Sequence, residues 1–284
     1  DEEEVRSSFQ KMGMLYNLSQ SLGNIYVSPR PSMEKLTQFY FESPARKFWI
    51  TKLWPQTHEA RDSKIIFPQL EWAQEFISQY LSNCEVFIAE YLSNHWGYYS
   101  ASKKIFENSS YTLVEPLFDP MLAKDEVTFS NLTDEVDEKS QDVIFLFEAL
   151  DRSIDPLGLL QKVLNTLHSG GLCFITCLLS SGFEVQVLQK ESEVFVPPER
   201  MNIFSFEGMN ALIKKVNGFE ILEFSTPAVL DIPNVIKCLD RIDDNPFLHY
   251  LFNRRNDKEL VNSFQNFLQL NRLGTFGRLV LRKK

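Results

Sequence analysis

The chain has 284 residues, 44% of them apolar and 24% charged, enough to bury one large core or two modest ones and too apolar for a disordered chain. Its 29 Lys and Arg against 38 Asp and Glu leave a net charge of -9, so nucleic acid, which is bound through clustered cations, is not an expected partner. There are only 11 glycines, about half the usual share, and Gly97 stands alone between Gly23 and Gly158, so no phosphate-cradling glycine loop fits anywhere.

In chain order, Met33 to Tyr40 after Pro31-Ser32 reads as a capped helix, and Ala45 to Leu53 as a second helix stopped by Pro55. Gln69 to Leu81 reads as a third, with Leu70, Phe76, Ile77 and Tyr80 near the helical period. Residues 1–82 are therefore expected to form a helical cap, packed on the core by Trp49, Trp54 and Trp72. From 83 to 284, short apolar runs alternate with helical stretches. Strands are expected at Val86–Ala89, Tyr111–Glu115, Val127–Phe129, Asp142–Phe147, Leu172–Cys177, Phe219–Phe224 and Gly277–Arg282. Helices are expected at Ser100–Phe106, Leu157–Leu167, Phe206–Val216 and Asp257–Leu270. Strands apolar on both faces and separated by helices predict a doubly wound α/β domain over 83–284.

The four cysteines (Cys84, Cys173, Cys177, Cys238) form no C-x-x-C pair and read as buried free thiols. No histidine pairs with another His or Cys at ligand spacing, so no metal is expected. No apolar run is long enough to span a membrane, and the start, Asp1-Glu2-Glu3-Glu4, is acidic and lacks an initiating Met. The expectation is a cytoplasmic protein trimmed at its N-terminus, with no membrane partner.

The run Asp142 to Pro156 (DVIFLFEALDRSIDP) resembles the fourth-strand motif of class I S-adenosylmethionine-dependent methyltransferases. In the order of that family, Tyr111 to Pro116 is similar to a second strand ending in an acid, and Leu164 to Leu172 to the paired-glycine turn before a fifth strand. Val196-Pro197-Pro198-Glu199-Arg200, with Asn217-Gly218-Phe219-Glu220, is similar to a late segment of one subgroup. Tyr26-Val27-Ser28-Pro29-Arg30-Pro31 and Phe39-Tyr40-Phe41-Glu42 are similar to that subgroup's N-terminal cap. Its zinc knuckle is lost, because Ser19 and Leu22 stand in the places of the cysteines. The resemblance runs over residues 16–284.

It implies a Rossmann-like, seven-stranded, mostly parallel sheet with a terminal antiparallel hairpin, and S-adenosylmethionine at the carboxyl ends of its first four strands. The implied cofactor contacts are Glu90, Gly97, Glu115 (ribose), Asn131 and Leu132 (adenine), Phe147 and Glu148. The implied activity is methyl transfer to a small molecule or sugar nucleotide; no catalytic residue is assigned.

The chain departs from the family where the chemistry would be. After the first strand the family keeps an acid and three glycines, whereas Glu90, Tyr91 and Leu92 place side chains there and only Gly97 remains, beyond a short insertion. Asp151-Arg152 replaces glutamate-histidine, Arg200 replaces a histidine, and Ala228 a glycine. Histidine exchanges protons near neutral pH and arginine does not. Such changes fit the alternative expectation, a pseudo-methyltransferase serving as a binding or scaffolding module with a protein partner. Glu148 and Asp151 read as helix-start carboxylates rather than a catalytic pair, and His95, in the altered loop, as an ordinary surface histidine.

Overall fold

The computed structural model describes residues 4–82, 85–123, 127–242, 245–255 and 257–284; Cys84 and residues 1–3 lie outside them. Among the described residues the strands are β1 (Val5–Lys11), β2 (Met14–Ser19), β3 (Ile25–Val27), β4 (Val86–Tyr91), β5 (Ser109–Val114), β6 (Leu132–Thr133), β7 (Gln141–Phe147), β8 (Leu167–Leu178), β9 (Asn202–Ile203), β10 (Phe219–Ser225) and β11 (Phe276–Lys283). The α-helices are α1 (Met33–Thr37), α2 (Pro44–Phe48), α3 (Trp54–Arg61), α4 (Phe67–Tyr80), α5 (Gly97–Ile105), α6 (Pro120–Ala123), α7 (Ala149–Arg152), α8 (Pro156–Thr166), α9 (Phe183–Leu188), α10 (Phe206–Val216), α11 (Asp231–Cys238), α12 (Pro246–His249) and α13 (Lys258–Leu270).

The main sheet has seven strands in the order β10-β11-β8-β7-β4-β5-β6. Neighbours from β8 to β6 run parallel, and β11 pairs antiparallel with both β8 and β10. Every residue of β7 is buried, as a central strand covered on both faces requires. On one face Ile88, Phe145 and Phe174 pack with Trp54, Leu70 and Trp72. On the other, Ile144, Leu146 and Ile175 pack with Leu160, Val163 and Met209 of α8 and α10. Cys173 and Cys177 belong to this second core and are free thiols, as is the buried Cys238.

The cap differs from expectation at its breaks. Residues 44–80 are helical without interruption, because π-helical turns at Trp49–Leu53 and Asp62–Ile66 join α2, α3 and α4. Pro55 and Pro68 each follow such a turn and sit in the first turn of the next helix. The wider turn takes up the backbone bond that proline cannot make, so the helix is not stopped there. The turns also stretch the buried period, keeping Arg46, Ile50, Trp54, Ile66 and Leu70 on one face at multiples of four.

Residues 5–27, which carry no clear sequence signal, form strands. β1, β2 and β3 make a small antiparallel sheet that β9 completes by pairing with β3. The β2–β3 turn is closed by Ser19, whose Oγ accepts the Leu22 N–H at 3.2 Å. The expected strand at Val127–Phe129 lies later, at Leu132–Thr133. Asn131 anchors this shift by donating its Nδ2 to the Tyr111 carbonyl at 3.0 Å, so pairing with β5 begins one residue on. Among the described residues no helix is long and apolar enough to cross a membrane.

Candidate functional site

β4 leads away from the sheet centre through β5 and β6, whereas β7 leads the other way through β8. Their carboxyl ends therefore flank a topological switch point, where open α/β sheets bind ligands. The residue that leaves each strand here has left-handed backbone: Leu92 (φ 52°) after β4, Glu115 (φ 49°) after β5 and Glu148 (φ 56°) after β7. Left-handed backbone on such side chains is strained by about 1–2 kcal/mol each, and strain of this kind gathers at present or former sites.

The loop from Leu92 to Trp96 is tied from several sides. Ser93 Oγ donates to the His95 carbonyl at 2.7 Å, and Asn94 Nδ2 donates to Glu199 at 3.1 Å. His95 lies between Trp54 and Tyr98, its centroid 4.3 Å from the indole and 5.5 Å from the phenol ring. Its Nδ1 accepts the Gly97 N–H at 3.1 Å, which leaves its proton on Nε2. Burial, with the Arg152 charge adding to it, pushes its pKa down to about 3, so it is not an exposed titrating histidine but a neutral packed ring.

Gly97, the first residue of α5, is covered by the cap. A Cβ there would lie 2.7 Å from Ile66 Cδ1 and 2.7 Å from the Trp54 ring. The bare backbone thus faces side chains of residues 44–80. Beside it is a cavity of about 70 Å³, bordered by Glu90, Phe147 and Glu148 together with Trp54, His95 and Arg152.

Glu90 is 2% exposed and accepts the Tyr111 hydroxyl at 2.7 Å. Burial raises its pKa to about 7 against the Ser93 and Tyr111 hydrogen bonds. Glu148 accepts from Arg200 at 2.9 Å and from Arg152 at 3.2 Å; the two guanidiniums overcome burial and hold its carboxyl at about 2. Arg152 also reaches Glu199 at 3.4 Å and donates to the Leu92 carbonyl at 3.0 Å. Arg46 of the cap meets Glu199 at 3.5 Å, and Arg200 meets Asp151 at 3.6 Å. Asp151, fully buried, also accepts the Leu178 N–H at 3.2 Å, and burial lifts its pKa to about 7 despite Arg200. Of the two arginines that stand in place of histidines, Arg152 thus joins the sheet to Arg46 of the cap through Glu199, and Arg200 pairs with Glu148 and Asp151.

Of the residues singled out in the sequence, Glu90, Phe147 and Glu148 come together around the small cavity, with Gly97 beside it under Trp54 and Ile66. Glu115 is bonded to Lys162 at 2.6 Å and lines a neighbouring cleft of about 280 Å³, which Leu92 and Arg152 also border. Asn131 and Leu132 border neither space. Asn131 Oδ1 accepts the Tyr99 hydroxyl at 2.8 Å, and Leu132 packs against the first core. Sequence reasoning missed Arg46 and Ile66, which close the site from the cap. The one available signal was the aromatic pairing of Trp54 with the His95-Trp96 dipeptide.

No protein-family model matches the chain, and no curated protein matches it. Among solved structures it is similar to the plantazolicin methyltransferase BamL, in complex with a desmethyl plantazolicin analogue and SAH, at 13% identity and a TM-score of 0.51, over 87% of this chain and 94% of that one. It is also similar to a chain from the complex between the Haloferax volcanii Trm112 methyltransferase activator and a methyltransferase, at 12% identity and a TM-score of 0.50, over 83% of this chain and 96% of that one. At these identities the likeness is one of fold. The strand order, the antiparallel β10–β11 pair and these likenesses together give the chain the class I S-adenosylmethionine-dependent methyltransferase fold.

Proposed function

We propose that the chain is a methyltransferase-fold protein that takes no S-adenosylmethionine at its switch point and serves as a non-catalytic binding or scaffolding module. The observation that carries this reading is the direct seating of Trp54 and Ile66 on Gly97, which leaves about 70 Å³ between β4 and β7. A nucleoside joined to an amino acid needs a pocket of about 300 Å³ or more. The space between β4 and β7 therefore does not fit the cofactor. A second support is chemical. Arg152 and Arg200 sit in ion pairs with Glu148 and exchange no proton near neutral pH, so neither replaces a histidine base. A protein partner belongs to this reading, and a small-molecule acceptor or sugar nucleotide to the one it displaces.

Calorimetric titration with S-adenosylmethionine and S-adenosylhomocysteine tests the reading. The expected result is no binding up to millimolar ligand. Micromolar binding that is lost in Glu115→Ala would overturn it.

A further inference from the structure

The amino ends of β7 and β8, at the far end of the strands from the switch point, border an open cleft of about 410 Å³. That lies within the range of small-molecule sites, about 300–1,000 Å³. Gln141 of β7 pairs with Leu167 of β8 but Val143 pairs with Leu172, so residues 168–171 loop out of that ladder. Within the loop Gly170 has left-handed backbone (φ 81°) and turns its bare Cα toward Arg282; a Cβ there would lie 3.6 Å from Nη2.

Arg282 comes from the end of β11 and lies over the Tyr80 ring of α4, 5.5 Å from its centroid. It is partly buried, and among the described residues it makes no ion pair and no hydrogen bond. Its Nε is covered, whereas its Nη atoms are not, and the residue lines the cleft. Arg278, on the same strand, instead meets Glu223 at 3.0 Å. A cation drawn partly out of water without an anion carries a cost that a bound anion removes.

The acidic residue of the lining, Asp142, is 6% exposed, and its Oδ2 accepts the Phe87 N–H at 3.0 Å, so it is turned to β4 and leaves Arg282 without a counter-ion. A further cation stands at this end of the sheet, where Lys283 Nζ donates to the Leu167 carbonyl at 2.7 Å. His168 and Ser169 are exposed on the rim of the cleft. Ser169 Oγ has only a 3.5 Å contact with the Lys284 carbonyl, so its hydroxyl keeps donor capacity. A guanidinium, a hydroxyl and an imidazole do not share one plane. A carboxylate offers two oxygens in a plane, whereas a phosphate group offers three to donors from different directions.

We propose that this cleft binds a phosphate group, free or on a small monoester, with the Arg282 Nη atoms as its main donors and Ser169 and His168 completing the contact. The site goes beyond the non-catalytic reading and stands apart from it, because it lies at the other end of the strands.

The experiment is calorimetric titration of the full chain, at constant ionic strength, with inorganic phosphate, glycerol 3-phosphate and glycerol. Saturable one-to-one binding of both phosphates is expected, and none of glycerol. Tighter binding of glycerol 3-phosphate would mark a monoester as the ligand, and equal or tighter binding of inorganic phosphate would mark the phosphate group alone. Arg282→Gln should weaken both at least about tenfold. His168→Glu, at an exposed position, should weaken both about threefold or more by like charge. No saturation by either phosphate, glycerol binding as well as its phosphate, or full affinity in Arg282→Gln would overturn the proposal. Should Arg282→Gln fail to fold without its contact to Tyr80, His168→Glu still decides, since full affinity there would overturn it as well.

Discussion

Replacing Gly97 by alanine separates two reasons for a glycine at the start of α5. If the glycine is kept bare for a cofactor, a methyl group in the ligand-free protein meets open space and costs nothing. In the structure the methyl meets Ile66 Cδ1 and the Trp54 ring at 2.7 Å, whereas carbon atoms rest at about 3.5–4.0 Å. Both neighbours are buried, Ile66 at 2% and Trp54 at 4% exposure, so a shift of about 1 Å has to be taken up by the cap itself. Overpacking of this kind costs about 1–3 kcal/mol, and alanine's better helix propensity returns at most about 1 kcal/mol. We therefore expect Gly97→Ala to lower unfolding stability by roughly 1–2 kcal/mol in urea melts without ligand, with an unchanged m-value. Trp54→Phe on the same background removes the second indole ring and should recover part of the loss, a coupling of about 0.5 kcal/mol or more in a double-mutant cycle. A neutral or stabilising Gly97→Ala would refute the packing argument and return the glycine to a ligand role.

Glu90→Gln tests the buried carboxyl. Its folded pKa of about 7 lies above the unfolded value of 4.5, so the native state holds the proton longer and stability falls as pH rises from about 4.5 to 7. The variant lacks that loss and should gain on the wild type by roughly 3 kcal/mol between pH 4 and 8; parallel stability–pH curves would count against it. Glu199→Ala leaves Arg46 and Arg152 buried without that partner, and a loss of roughly 3–5 kcal/mol is expected, with faster amide exchange across residues 44–66. Glu115→Ala should change stability by less than about 1 kcal/mol, because its pair with Lys162 is 43% and 36% exposed.

The central strands were legible because each carries its own signal: Val143 to Phe147 is apolar on both faces and can only be a buried strand. The cap's continuity was not, since Pro55 ordinarily ends a helix, and a π-turn leaves no compositional trace. Nor were β1 to β3. Five of the seven residues of β1 are exposed, and the strand that completes its sheet is β9, whose residues lie far along the chain. In the site, Glu90, Phe147 and Glu148 met because strand ends are set by topology. What fills the space between them is long-range packing: Trp54 was readable as a cap anchor, but its seat on Gly97 and the ring of His95 was not. The same packing turns a histidine that reads as exposed into a neutral stacked ring.

The last strand in the chain, β11, is an interior strand of the sheet, bonded to β8 on one side and β10 on the other. Until residues 276–283 leave the ribosome, β8 presents an apolar unpaired edge and β10 has nothing to join. Synthesis at about 5–20 residues per second leaves that edge open for seconds while the 50 residues between β10 and β11 are made. An open edge of this kind is a template for pairing with another chain, so the nascent protein is most exposed to aggregation before residues 276–283 emerge. β11 thus governs how safely the whole sheet, and the ends that carry the candidate site, is assembled.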